Sequence, residues 1–168
     1  MSKFQTIYSS LINNSSKNTI LKIKGIEKKV KAMVRLTAKN YLKNNDEYIK
    51  IIFEDESFLL AIKNDEEFYY ANEVIGHIKE IPDEFIGNEE IIKYKDKTYK
   101  LENKNDYQYV LNLLVGSPKD IEGECRFSDY LSIEGEKEFL SLGWLSETNE
   151  RADINPIFIN QSDVELVK

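Results

Sequence analysis

Hydrophobic and polar positions follow two different periods along this chain. Between residues 1 and 16 the apolar positions recur at spacings of three and four, as on one face of an amphipathic helix. These positions are Phe4, Ile7, Tyr8, Leu11 and Ile12. From residue 20 onward the period is two, which is typical of half-buried strands. The pattern predicts an N-terminal helix followed by a β-rich body.

The strongest alternation runs over residues 30–38, where the apolar side chains occupy every second position. Helical spacing also fits this stretch, through Ile26, Val30 and Met33, so a strand is favoured while a helix stays open. Two apolar runs, 48–53 and 58–62, flank Glu-Asp-Glu-Ser and predict a hairpin. Further strands are predicted over 68–74, 92–95, 98–101, 107–115 and 157–159, with a loop over 82–88.

Two segments of the chain resemble one another. Residues 53–65 align without a gap on 94–106, with five of 13 positions identical and three more exchanged between Phe and Tyr or Ser and Thr. Such a repeat usually means one supersecondary unit used twice. Independent convergence of two hairpins rich in Lys, Asn and Asp is the alternative.

These patterns together predict a mainly β (α+β) fold. We expect an N-terminal amphipathic helix (1–16) followed by two related antiparallel β lobes, built as small barrels or curved sheets. The first lobe is assigned to 17–87 and the second, with a C-terminal extension, to 88–168. A single continuous domain is the alternative.

Charge is divided unevenly along the 168 residues, whose net charge is −7. Residues 1–50 carry 11 Lys/Arg against 3 Asp/Glu, and residues 51–168 carry 12 against 27. A basic surface formed by Lys29, Lys31, Arg35 and Lys39, beside aromatic residues, suggests single-stranded nucleic acid. The acidic total disfavours that partner, and we favour a basic segment that packs beside an acidic one.

The compartment expected from sequence is the cytoplasm. A lone Cys125 excludes an intrachain disulfide framework, and the polar-interrupted N-terminus does not resemble a secretory signal. The longest wholly apolar run is five residues, whereas a membrane-spanning helix needs about 20.

Motifs for catalysis, metals and cofactors do not emerge. The single histidine, His77, has no accompanying nucleophile motif, and Glu122 and Glu124 would raise rather than lower the pKa of the Cys125 thiol. One His and one Cys do not supply a usual zinc ligand set, and the seven glycines are too widely spaced for a phosphate loop. We therefore expect no catalytic residue, metal or cofactor.

Two arginines in the acidic part mark the candidate ligand site. Arg126 and Arg151 each either pair with a carboxylate or bind an anion, and Asp129 and Asp153 are the nearby acids. Structural pairing is favoured. The remaining members of the candidate site are Tyr130 and Trp144, of which Trp144 is favoured as a core anchor because its neighbours are apolar.

Short motifs resemble a known family. Tyr99-Lys100-Leu101, the strand to Gly116, Glu122-Gly123-Glu124 and Asp129-Tyr130 are similar in spacing to a bacterial family of small β-rich proteins, a domain of unknown function. The resemblance implies a β-rich fold and supplies no activity.

The function expected from sequence is a non-catalytic binding or protein-interaction module with an acidic surface, of immunity or inhibitor type. Its partner is a protein or a second copy of the chain. The alternatives are an enzyme or binder acting on a small anionic ligand near Arg126 and Arg151, and nucleic-acid binding through the basic strands.

Overall fold

The computed structural model describes residues 1–38, 47–73, 75–104, 109–117, 125–145 and 148–167. Lys39 and Glu122-Gly123-Glu124 lie outside this part, as do the side chains of Cys125 and Arg126. The described elements are one α-helix, α1 (Lys3–Asn14), two short 3-10 helices (Asp83–Phe85 and Gln161–Asp163), and twelve strands: β1 (Ile20–Ile23), β2 (Ile26–Ala38), β3 (Glu47–Phe53), β4 (Phe58–Ile62), β5 (Glu67–Ala71), β6 (Ile91–Tyr94), β7 (Lys97–Lys104), β8 (Tyr109–Val115), β9 (Cys125–Ser132), β10 (Phe139–Leu145), β11 (Ile157–Ile159) and β12 (Val164–Leu166).

Helix α1 begins at a capping box. The Ser2 hydroxyl accepts from the Gln5 amide, and the Gln5 side chain accepts from the Ser2 amide, each over 3.1 Å. Two N-terminal amides that lack intrahelical partners are thereby satisfied. The apolar stripe predicted from sequence is buried, with Phe4, Ile7, Tyr8 and Leu11 at most 5% exposed. The predicted helix is confirmed.

The strands form two curled antiparallel sheets, each a half-barrel. The larger sheet has the order β11-β5-β4-β3-β2-β1-β12, and β8 also pairs with β2. The smaller sheet has the order β10-β9-β7-β6. Strand β2 is long enough to pair with β1 at its start, β8 at its end and β3 along most of its length. The mainly β fold class is confirmed.

Both faces of the larger sheet are covered. In β3 every second residue is fully buried, and Ile49, Ile51 and Phe53 pack in the core that α1 covers. The opposite face carries Tyr48 and Ile52, which turn toward the smaller sheet. The smaller sheet has its own core around Tyr99, Tyr130, Leu140 and Leu142. Because strands of period two present opposite faces, one sheet contributes to two hydrophobic clusters.

The repeat is preserved only in its hairpins. The β3–β4 hairpin turns through four residues, 54–57, with Glu56 at φ 70°, whereas the β6–β7 hairpin turns through Lys95 and Asp96 alone. The third strands then take different partners, since β5 pairs with β4 but β8 pairs with β2. The duplication therefore stays a prediction.

Two further predictions concern the secondary structure of residues 26–62. The helical alternative for residues 26–41 is wrong as far as Ala38, because β2 is a strand, and the predicted hairpin over 48–62 is confirmed.

The lobe boundary at residue 87 stays a prediction. Strands from both sides of it pair in the larger sheet, where β8, β11 and β12 join β1–β5. No helix among the described residues combines the length and apolar character that a membrane crossing requires.

A buried carboxylate attaches α1 to the larger sheet. Glu47 is 3% exposed, and its two oxygens accept from the Tyr8 hydroxyl at 2.7 Å and from Arg35 Nη2 at 2.9 Å. Lys63 Nζ lies 3.6 Å away. Burial alone would raise the pKa of Glu47, but the hydrogen bonds from Arg35 and Tyr8 outweigh it and lower the pKa below its usual range.

We predict that Glu47→Gln destabilises the protein at neutral pH by about 2 kcal/mol, because the hydrogen bonds from Tyr8 and Arg35 then reach a neutral amide instead of a buried carboxylate. A depressed pKa stabilises the fold above the unfolded-state value of 4.5, and this contribution is lost as the pH falls through the lower folded-state value. Urea unfolding of wild type and variant should therefore converge at acidic pH. Glu27→Gln, at an exposed position of β2, is the control and should match wild type at every pH.

Candidate functional site

A cleft of about 780 Å³ lies between the two sheets. Its walls are largely apolar and come from both sheets. The larger sheet supplies Val34, Leu36, Tyr48, Ile52, Leu60, Ile62 and Tyr69. The smaller sheet supplies Phe127, Leu131 and Phe139. A concavity of this volume and lining is the usual form of a ligand site.

Two contacts between the sheets define the cleft. Phe127 of β9 packs against Val34 and Leu36 of β2. Tyr69 of β5 meets Phe139 of β10 edge to face, with ring centroids 4.7 Å apart. Aromatic residues at both contacts keep the sheets apart while they bury apolar surface.

Charged residues around the cleft are mostly acidic. The lining residues include seven acids, namely Glu56, Asp65, Glu67, Glu102, Asp129, Glu150 and Asp153. They include four bases, namely Lys31, Lys50, Lys137 and Arg151. Three ion pairs join these sets, Lys31–Glu56 at 2.8 Å, Lys137–Glu67 at 2.6 Å and Arg151–Asp153 at 2.7 Å. The excess of acids gives the cleft a negative potential that attracts cationic groups.

The carboxylate of Asp153 joins several segments at one end of the cleft. Asp153 is fully buried and accepts from both Nε and Nη2 of Arg151, at 3.2 and 2.7 Å. It also accepts from the backbone amides of Ile78 at 2.8 Å and Gly143 at 3.4 Å. The carboxylate thus ties the loop after β5, strand β10 and the segment that leads to β11.

The guanidinium of Arg151 is almost fully used by the protein. Its side chain is 4% exposed. Nη1 donates to the Ile81 carbonyl at 3.1 Å and to Asp83 Oδ1 at 2.7 Å, and it lies 3.4 Å from His77 Nε2. The carbon of the group lies 6.0 Å from the Trp144 ring centroid. The pairing of Arg151 with Asp153 agrees with the structural interpretation favoured from sequence.

The structure brings most of the sequence-predicted site residues to the cleft. Asp129, Tyr130, Trp144, Arg151 and Asp153 all line it. The Tyr130 hydroxyl accepts from the Gly87 amide at 3.0 Å and donates to the Glu89 carbonyl at 2.8 Å, so it organises the loop before β6. Trp144 packs against the smaller-sheet core, as expected of a core anchor. Arg126 lies in β9, opposite Trp144 in the register.

Acidic side chains pair with the described residues of the predicted basic surface, and most of these acids come from the β3–β4 turn. Lys28 pairs with Asp55, Lys29 with Glu54 at 3.8 Å and Lys31 with Glu56. The hydrogen bond from Lys28 is the main cause that lowers the pKa of Asp55 to about 2. Arg35 pairs with Glu47. The basic segment thus packs beside an acidic one, as favoured from sequence.

The charged tips of the two hairpins pair with neighbouring segments of their own sheets. The acidic tip of the first hairpin pairs with β2, and Lys97 of the second hairpin pairs with Glu138 at 2.6 Å. The reason is proximity, since β2 is the sheet neighbour of β3 and places its lysines beside the turn.

Sequence reasoning missed the cleft as a whole. Its walls are built from β2–β5 on one side and β9 and β10 on the other, and no local motif indicates that these strands face one another.

Within the described ranges, no group of three or more His, Cys, Asp or Glu side chains is placed to hold a metal ion.

Comparisons with known proteins identify distant similarity only. No family model matches the chain, and no solved structure matches it significantly. The chain is similar to glutamate–tRNA ligases of Francisella tularensis. Those of subsp. tularensis (strain WY96-3418), subsp. holarctica (strain LVS) and subsp. novicida (strain U112) are each 27% identical over 106 residues, which is 63% of this chain. The matched region spans 22% of the length of each ligase.

We predict that Asp153→Asn lowers the free energy of unfolding by about 3 kcal/mol, because it leaves the buried Arg151 guanidinium without its carboxylate. Amide hydrogen exchange at Ile78 and Gly143 should accelerate in the same variant. Asp83→Asn is the matched control, since Asp83 binds the same guanidinium from a side chain that is 63% exposed. Its effect should stay below about 1 kcal/mol. Equal losses in the two variants would contradict the central role of Asp153.

Proposed function

We propose that this chain is a non-catalytic binding protein whose inter-sheet cleft holds an apolar segment of a protein partner flanked by basic residues. The cleft carries the proposal, because it combines apolar walls with more acids than bases. Its apolar surface supplies affinity, and its negative potential selects cationic flanks and speeds association.

The polar groups at the cleft support binding rather than chemistry. The Arg151 guanidinium, the Asp153 carboxylate and the Tyr130 hydroxyl are engaged in bonds that hold the fold. A general acid, a base or a nucleophile needs a group that reaches a substrate. We infer that these residues shape the cleft. An enzyme acting on a small anionic ligand near Arg126 and Arg151 is less well supported, because Arg151 has little donor capacity left.

Nucleic-acid binding is the second candidate, and the similarity to proteins named glutamate–tRNA ligases favours it. The geometry supports it less well, because Lys29, Lys31 and Arg35 already pair with acids. Steep loss of affinity for a single-stranded oligonucleotide with rising salt would support it, since phosphate contacts release counterions. The proposal keeps the cytoplasm as the expected compartment, where a lone cysteine is ordinary.

Binding is measurable through Trp144, which lines the cleft and is the one tryptophan in the sequence. We predict that a synthetic peptide of alternating Leu and Lys shifts the emission of Trp144 on titration. The same peptide with Glu in place of Lys should not. The affinity should fall as salt rises, because exposed charges are screened.

The variant that tests the site is Ile62→Lys, which places a cation on the apolar wall. We expect it to weaken binding of the Leu/Lys peptide by about tenfold, through lost apolar contact and charge repulsion. Ile133→Lys is the matched control, because Ile133 is 58% exposed and does not line the cleft. Equal affinities for the two peptides, or equal effects of the two variants, would overturn the proposed site.

A further inference from the structure

Strand β8 is an apolar strand at an edge of the larger sheet. It pairs with β2 on one side, and no described residue pairs with its other side. Its seven residues, Tyr-Val-Leu-Asn-Leu-Leu-Val, contain no charge and no proline. Val110 is 49% exposed and Asn112 is also exposed. Such an edge is a template for pairing with another strand.

The other edges in the described residues carry the usual protection. Strand β6 is only four residues long and includes Lys93. Strand β12 is three residues long and includes Glu165. Strand β11 is bridged to the smaller sheet through Glu138 and Ile157. Short length, charge and coverage are the devices that keep edges from pairing. Strand β8 is seven residues long and uncharged, and no residue in the described ranges pairs with its outer edge.

We propose that β8 pairs antiparallel with β8 of a second copy and joins two larger sheets into one continuous sheet. A two-fold axis through the centre of the strand, at residue 112, brings each residue opposite a residue of the other copy. The two residue numbers in each such pair add up to 224. Asn112 then faces Asn112 of the other copy, Leu111 faces Leu113, and Val110 faces Leu114. A two-fold interface uses the same patch on both copies, so the strand must be compatible with itself.

The side chains of β8 meet this requirement. Like charges directly opposite one another destabilise a strand pair, and β8 has none. Two carboxamides on the axis can donate to and accept from one another, since each carries both kinds of group. On the face toward the cleft, Leu111 packs with Val34 and Leu36. Leu113 of the second copy would continue that apolar surface.

The overall charge sets the expected salt dependence. Each copy carries a net charge of −7, so the bodies repel while the uncharged strands attract. Added salt screens the repulsion and should tighten the dimer. Salt is thus expected to strengthen the dimer but to weaken binding of the basic peptide in the cleft. The two proposals can therefore fail independently.

Sedimentation equilibrium over a range of protein and salt concentrations tests the pairing. We expect a concentration-dependent species of about 39 kDa, twice the 19.6 kDa of the chain. Asn112→Asp and Asn112→Lys should each weaken association by about tenfold or more, because like charges then face one another on the axis. An equal mixture of the two variants should restore the dimer, because opposite charges then meet.

Asn18→Asp, at an exposed turn outside β8, is the control and should dimerise like wild type. Matching thermal transitions would show that the Asn112 variants remain folded. A wild-type protein that stays at 19.6 kDa throughout overturns the proposal. A dimer that is insensitive to Asn112, or a mixture that fails to restore it, overturns this interface.

Discussion

The segments that connect the two sheets converge on the buried carboxylate of Asp153. A fully buried charge is stable only when its partners compensate for the lost water, and Asp153 has a bidentate arginine and two backbone amides. These partners come from separate segments of the chain. The segment around Asp153 bridges to β10 through Ile154 and Ser141, and its continuation, β11, pairs with β5. One end of the cleft is therefore held by a polar contact as well as by apolar packing.

Charge pairing explains why the uneven distribution of charge along the sequence does not make β2 a strongly basic surface. The basic residues of β2 lie next to the acidic β3–β4 turn because β2 and β3 are neighbours in the sheet. Each of these exposed pairs contributes little to stability, about 0–1 kcal/mol. Their main effect is on the field, since they cancel the positive strand and leave the rest of the molecule acidic. A partner approaching from solution therefore meets a mainly negative surface, although residues 1–50 of the sequence are rich in Lys and Arg.

Local features were predictable from sequence where one segment determines its own structure. The stripe from Phe4 to Leu11 predicted α1, and the runs around residues 54–57 predicted the β3–β4 hairpin. Long-range pairing was not predictable in this way. Nothing within β8 indicates that it leaves the β6–β7 hairpin for β2, because its apolar residues suit either sheet. The Arg151–Asp153 pair was accessible because its members are two residues apart, whereas the bond from Ile78 spans 75 positions and has no local signal.

The distribution of polar and apolar groups in the molecule bears on how it acts. Three of its buried polar groups hold the fold together. Glu47 attaches α1, Asp153 joins the segments that connect the sheets, and Tyr130 positions the loop before β6. In the part of the chain that the structure describes, the apolar surface of the cleft and the backbone edge of β8 face outward without an assigned internal role. Apolar surface and an open strand edge recognise shape and chain direction rather than promote bond making. The proposed function, which is to hold a segment of another polypeptide, rests on these two surfaces.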